Sequence, residues 1–291
     1  MSAERLPLTV VVPTIGRTEL LAGCLSAMGR CDPQPDEVVL VDYPGSDAVR
    51  ELALQHQALG VRVVVCERPG VGRAVNLGFE VAGNDAVAVT NDDCTPQVDW
   101  VATAHRLIER HRDAIVCGPV RPKGDPRLIP SLRDEADAQD IGRDRYYSGL
   151  TGNNFVARRS VFRAFGGFDE RFDFAAEDSD LSYRWLRGGG RMRYEPALVV
   201  WHESWRTPAE MREQYVRYWN GGGLFYAKHL RRGDRTMLYL LARDLVASSL
   251  ATLIGAVSGR PSWTDARRGC LRGLPAGLRR GWRLSSGPAR R

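Results

Sequence analysis

The sequence has no CxxC pair, no P-loop, no dinucleotide fingerprint and no internal repeat, and each absence removes a class of protein. Six cysteines (Cys24, Cys31, Cys66, Cys94, Cys117, Cys270) lie far apart with no histidine at zinc-finger spacing. A structural zinc or a disulfide framework is thereby excluded, and these thiols are expected as small core residues in a reducing compartment. Residues 1–8 show no basic segment followed by an apolar one, so a cytoplasmic location is the expectation. The uncharged run at residues 245–259 is too short to cross a bilayer comfortably. No Gly-rich, Lys-bearing loop comes after the first apolar run, which argues against a nucleotidyltransferase. No GxGxxG opens a helix there either, which argues against a Rossmann oxidoreductase.

The bulk composition is ordinary: 291 residues, 43% hydrophobic and 26% charged, enough for one large α/β domain with an appendage. The net charge of +6 is unevenly spread. Residues 228–291 hold fourteen Lys or Arg against three Asp, a balance of +11, and the preceding residues hold 27 against 32. The body of the chain is therefore slightly acidic, and nucleic-acid binding by it is not expected.

Apolar runs alternate with helical patterns along the first third. Residues 8–12, 37–41, 61–66 and 86–90 read as buried strands. Residues 19–28, 47–59, 72–82 and 98–111 carry apolar positions at helical spacing. This order predicts a Rossmann-like, mostly parallel sheet with helices on both faces, whose ligands bind beyond the carboxyl ends of the strands. Residues 121–147, with Pro122, Pro126 and Pro130, read as a mobile or acceptor-facing loop. A strand is expected at 151–158, short helices at 159–165 and 177–186, and a strand at 193–201 interrupted by Pro196.

Four features could carry chemistry. Asn91-Asp92-Asp93 ends an apolar strand, and adjacent carboxylates there are costly unless solvated, capped or bound to a cation such as Mg²⁺ or Mn²⁺. An Asp-rich helix cap is the plainer explanation. Gly70 and Gly72 open a helix and could admit a phosphate to its N-terminus, although a simple helix entry also accounts for them. Glu177, Asp178 and Asp180 crowd a helix start, where the dipole alone favours acids. His202 ends the last strand, and a lone histidine is more often structural than a ligand.

Taken in order, these landmarks carry more than each does singly. Strand to Pro13-Thr14, strand to Asp42, the Gly70–Gly78 segment, strand to Asn-Asp-Asp, Gly152-Asn153-Asn154, Gly-Gly-Phe-Asp-Glu at 166–170, Glu177-Asp178 and His202 together resemble family 2 glycosyltransferases of the GT-A fold over residues 7–230. The resemblance implies inverting transfer of a hexosyl or deoxyhexosyl group from a UDP-, TDP- or GDP-sugar to a hydroxyl of an acceptor, lipid-linked or a natural product. It puts Pro13, Thr14 and Asp42 at the base and ribose, with Gly72, Arg73, Asn76, Asn91 and Asp92 along the rest of the nucleotide sugar. Asp93 matches the last acid of the family's DxD motif and, with His202, is implied to hold a divalent metal, Mg²⁺ or Mn²⁺. Asp178 matches the general base, with Glu177 beside it. The chain departs from the pattern at Asn91, where the family usually has an acid, and at Tyr43-Pro44, which stand between Asp42 and Gly45-Ser46.

A catalytically silent sugar-nucleotide-binding protein of the same fold is the alternative. Residues 1–230 are expected to form the catalytic domain and 231–291 a helical, Arg-rich extension. The extension could touch the inner face of a membrane or pack as a core helix with a solvated tail.

Overall fold

The computed structural model describes residues 4–142, 149–258 and 261–284. The chain divides into two compact units, Met1–Asp173 with Asp178–Ser204, and Phe174–Glu177 with Trp205–Arg291. The boundary expected between residues 230 and 231 falls at the end of a helix of the second unit, Pro208–Arg231.

The first unit is built on strands β1 (Arg5–Thr14), β2 (Gln34–Asp42), β3 (Val61–Val65), β4 (Ala86–Thr90), β5 (Cys94–Pro96), β6 (Ala114–Cys117), β7 (Val120–Lys123), β8 (Gln139–Asp140), β9 (Asn154–Arg158), β10 (Arg191–Tyr194) and β11 (Val200–Glu203). Helices α1 (Thr18–Gly29), α2 (Asp47–Gln55), α3 (Val71–Val81), α4 (Trp100–Arg110), α5 (Arg159–Ala164) and α6 (Glu177–Arg187) complete it. Eight strands form one sheet in the order β3-β2-β1-β4-β9-β6-β10-β8. Strands β1 to β4 are parallel, as their βα order predicts, whereas β9 runs antiparallel between β4 and β6. The fold is the expected α/β one of GT-A type, with a mixed outer half.

Both faces of this sheet are covered, which is why its central strands read as unbroken Val-rich runs instead of alternating. Leu8, Val10 and Val12 point with Val38 and Leu40 into a cluster closed by α1, α2 and α4. Val11 faces the other way onto α3, where a Cβ on Gly78 would come within 2.3 Å of it. Phe79 of α3 stacks on Phe162 of α5 with centroids 3.9 Å apart.

The stretch from 121 contains regular structure after all. It opens within β7 and later holds a 3-10 turn at Pro126–Leu128 and the two-residue β8, while the part beyond residue 142 lies outside the described residues. The single strand expected at 193–201 is two, β10 and β11, in different sheets, because the chain turns through Pro196. Strand β6 is a four-residue run with too little pattern to be read alone.

The second unit contains three helices, α7 (Pro208–Arg231), α8 (Thr236–Ser258) and α9 (Pro261–Leu284). Helix α7 begins with a capping box between Thr207 and Glu210. Helix α9 places Gly269, Gly273, Gly277 and Gly281 at four-residue spacing against Tyr215, Asn220 and Ala227 of α7, so that the two backbones nearly touch. Among the described residues, no helix is long and apolar enough to cross a membrane.

Candidate active and metal site

Parallel strands stop together, and the loops that leave them converge. The β1–β2 register sets Thr14 opposite Asp42, and Val11 of β1 lies opposite Val89, next to the last residue of β4. Asp42 is fully buried, and its Oδ2 accepts the Ser46 N–H at 2.6 Å. Its Oδ1 has no hydrogen-bond partner, and neither do Thr90 Oγ1 and Asn91 Oδ1 at the end of β4. A buried polar atom without a partner costs on the order of 1–3 kcal/mol, and these three lie at the carboxyl ends of β2 and β4.

The Asp92-Asp93 pair is almost completely enclosed, at 0% and 2% exposure. Two neighbouring carboxylates could not both stay ionised there without a counter-charge. Arg17, in the turn between β1 and α1, provides it. Its guanidinium grips both oxygens of Asp92 and donates from Nη1 to Asp93 Oδ2 at 3.1 Å. Thr14 Oγ1 donates to Asp92 Oδ2 at 2.7 Å. Burial pushes the Asp92 carboxyl above its ordinary range, and Arg17 pulls it back. Arg17 is absent from the sequence-based site. The signal available for it was position alone: a basic residue in the turn after the first strand, where α/β ligands bind.

Asp93 presents its other oxygen to His202. Strand β11 pairs antiparallel with β5 so that His202 lies opposite Cys94, and the Glu203 N–H donates to the Asp93 carbonyl at 2.9 Å. His202 Nδ1 stands 2.9 Å from the Glu203 carbonyl oxygen. A carbonyl only accepts, so Nδ1 carries the proton, and in the neutral ring Nε2 is left as a lone pair. That lone pair is 3.6 Å from Asp93 Oδ1, with both groups nearly buried. A positive charge between the nitrogen and the carboxylate oxygen, either a proton on Nε2 or a metal ion, makes this contact favourable. Two ligands each about 2.1 Å from one ion can be up to about 4.2 Å apart, so the spacing fits. Cys94 Sγ completes a set of three potential ligand atoms within 4.8 Å of one another. Burial holds the Cys94 thiol well above its usual pKa and therefore protonated, and it packs in the apolar cluster. The donors that suit Mg²⁺ or Mn²⁺ are the carboxylate and the imidazole.

The α3 residues have a different place. Asn76 donates from Nδ2 to the Phe168 carbonyl and accepts the Phe168 N–H at Oδ1, both at 2.9 Å. Arg73 donates to Glu170 Oε2 at 3.1 Å and to the Glu170 carbonyl at 2.9 Å. Gly72 is buried within the first turn of the helix. Arg73 and Asn76 thus bind the Gly-Gly-Phe-Asp-Glu turn. From the other side Arg184 donates to the Gly167 carbonyl at 2.6 Å and to Asp180 Oδ2 at 2.7 Å. This double clamp fixes where α6 begins.

Asp178 sits at that beginning. Its Oδ1 accepts the Ser179 N–H at 2.7 Å, and burial pushes the carboxyl above the usual carboxylate range against that bond. Gly152 packs beside the carboxylate: a Cβ there would lie 3.4 Å from the Asp178 Cβ, in ordinary contact. The next residue, Asn153, points its Nδ2 at Cys94 Sγ at 3.7 Å. The Gly152-Asn153 segment therefore lies between Asp178 and the Asp93 cluster. Glu177 belongs with the second unit, so the division between units runs between the two acids. Ala176, just before them, holds φ +65°, a conformation uncommon for a residue with a side chain.

Comparison with known proteins gives the family and the fold. The profile of Glycosyl transferase family 2 matches residues 9–166. The pre-mycofactocin glycosyltransferase of Mycobacterium tuberculosis is 28% identical over 207 residues, 66% of this chain and 42% of that protein, so the chain spans less than half of that relative's length. The O-antigen chain rhamnosyltransferase RfbN of Salmonella typhimurium is 24% identical, over 75% of this chain and 72% of its own. The mannosyltransferase PcManGT from Pyrobaculum calidifontis, solved with GDP-Man and Mn²⁺, shares the fold at a TM-score of 0.62 and 21% identity, over 96% of this chain and 87% of that one. The profile takes in β1 to β4, the acid pair and the Gly152-Asn153 segment, which is more than half of the chain. The chain belongs to glycosyl transferase family 2.

Proposed function

We propose that this chain is a metal-dependent inverting glycosyltransferase that moves a hexosyl or deoxyhexosyl group from a nucleoside-diphosphate sugar to an acceptor hydroxyl. The observation that carries the reading is the buried pair of Asp93 Oδ1 and His202 Nε2, 3.6 Å apart. A divalent ion held there would neutralise the diphosphate as it leaves.

The chain's own residues account for the rest. Asp42 Oδ1, a buried acceptor without a partner, suits a base with an N–H on its pairing edge, as uracil, thymine and guanine have. Adenine and cytosine lack that ring N–H and could offer only their exocyclic amino groups. The GDP-Man and Mn²⁺ of the structural neighbour are consistent with such a donor. Asp178, with its raised pKa, acts as the base. The acceptor oxygen bonds to the anomeric carbon, its proton passes to Asp178, and the bond to the diphosphate breaks with its electrons on the leaving group. Attack from the face opposite the leaving group inverts the anomeric centre. Asp92 serves this chemistry indirectly, by holding Arg17 against the pair.

A thermal-shift panel of nucleoside diphosphates with Mn²⁺, followed by anomer analysis of the hydrolysed or transferred sugar, tests the reading. A diphosphate at 100 times its Kd raises stability by about 2.7 kcal/mol. Stabilisation by UDP, TDP or GDP only when Mn²⁺ is present, together with an inverted product, is the expected result. Binding without turnover against any sugar donor would favour a silent sugar-nucleotide-binding protein. Full turnover in EDTA would end the metal-dependent mechanism.

A further inference from the structure

We propose that the second unit docks on an anionic lipid surface through the outward face of α8, with the basic C-terminal residues supplying the charge. The proposal rests on this unit alone and would stand if the chemistry proposed above were wrong.

Helix α8 is apolar on two sides. Met237 and Leu240 are buried at 0% and 3%, as a core-facing stripe should be. Leu238, Tyr239, Val246 and Leu250 are exposed at 58%, 67%, 58% and 54%, and their spacing keeps them on the opposite side. A solvated helix would carry charges there. Between Thr236 and Leu250 the only charged residues are Arg243 and Asp244, which pair with each other at 2.8 Å. Eight of the fifteen large apolar residues exposed among the described residues lie between positions 238 and 284. Isolated surface leucines need no explanation, but a concentration of this kind does.

Charge decides the occupant. A balance of +11 over residues 228–291 opposes the approach of a second copy of the same face and attracts an anionic one. The helix α9, bound to α7 through its glycine side, exposes Arg272, Arg279 and Arg283 beside Leu271 and Trp282. Trp282 is 59% exposed, and the Arg231 guanidinium lies over its ring, 5.4 Å from the centroid. A half-exposed tryptophan next to arginines is the composition of an interfacial helix. No described helix is long and apolar enough to span, so the unit would lie on the surface.

The test is co-sedimentation of the full chain with vesicles of phosphatidylcholine alone or mixed with phosphatidylglycerol. At low salt it should pellet with the mixed vesicles and not with the neutral ones, and release on raising salt. Each of Arg272→Glu and Arg279→Glu should weaken binding by at least about fivefold, the factor carried by one basic residue near such a surface. Leu238→Glu with Val246→Glu should abolish binding while the melting temperature holds, because both side chains are exposed in the free chain. Failure to pellet with anionic vesicles at low salt, or equal pelleting with both, overturns the proposal. A dimer in sedimentation velocity that Leu238→Glu with Val246→Glu dissociates would also overturn it, and would assign the face to a second copy.

Discussion

Replacing Arg17 with alanine removes the guanidinium that contacts both Asp92 and Asp93, and the outcome can be sized. Both acids are buried, and without the guanidinium Asp92 loses two hydrogen bonds and Asp93 one. Stripping one partner from a buried ion pair costs about 3–5 kcal/mol, because the remaining charge has neither water nor counter-ion. Arg17 keeps 24% side-chain exposure, so water reaches the site and the lower end, about 3 kcal/mol, is expected. In a unit of this size each kcal/mol moves the midpoint by about 2–4 °C, giving a fall of about 6–12 °C. Thermal unfolding followed by circular dichroism measures it, with and without Mn²⁺. A cation between Asp93 and His202 replaces part of the missing charge, so Mn²⁺ should raise the midpoint of Arg17→Ala more than that of the parent. Asp92→Asn in the Arg17→Ala background should recover part of the loss, since it removes the charge that Arg17 had balanced. A fall of under about 2 °C, or an added loss from Asp92→Asn, would refute the electrostatic account and leave Arg17 a surface residue.

Three further variants probe the same geometry. Asp93→Ala should abolish the Mn²⁺-dependent rise in melting temperature and the recovery of turnover by Mn²⁺ after EDTA, whereas a variant that still responds to Mn²⁺ would displace Asp93 from the metal. Asp178→Asn should lower kcat by about 10²–10⁴ with diphosphate affinity nearly intact; an unchanged kcat would reduce the acid to a helix-dipole partner. In the parent, the acid limb of the kcat profile should lie above the usual carboxylate range because burial raises the Asp178 pKa. Stability should respond in the opposite sense: the folded form holds this proton more tightly than the unfolded one, so the stabilising contribution is present at low pH and is lost as pH rises through the folded pKa. Asn76→Ala should cost about 1–3 kcal/mol in stability through the lost Phe168 hydrogen bonds, and isothermal titration should find diphosphate affinity little changed.

Much of this site is legible in the sequence because strand ends are legible. A Val-rich run that stops at Thr14, Asp42 or Asn91 says where the sheet ends, and a parallel sheet brings those ends together whatever the loops do. The partner of Asp93 is less accessible. His202 arrives only through the small β5-β11-β7 sheet, whose strands are three or four residues long and carry almost no period. The order of landmarks pointed to His202, and the pairing of His202 with Cys94 explains why it meets Asp93. Arg17 is illegible for another reason. A single arginine in a turn has no pattern, and its importance comes from the desolvation of two acids 75 and 76 positions away.

Asn76 and Arg73 match the motif by position and spend hydrogen bonds on the 168–170 turn. Their order in the chain matches a nucleotide-binding segment, yet their hydrogen bonds go to Phe168 and Glu170. Arg184 and Asp180 hold the same turn from α6. Position in sequence cannot separate these cases, because a side chain that touches the donor and one that holds the turn carrying the base are under the same geometric demand. The difference lies in where the hydrogen-bonding capacity is spent. Asn76 uses its carbonyl and one donor on main chain, whereas Asp42 keeps a buried oxygen without a partner. Under the proposed function, the unspent capacity of Asp42 assigns it to the donor, and the spent capacity of Asn76 assigns it to the framework beside Asp178.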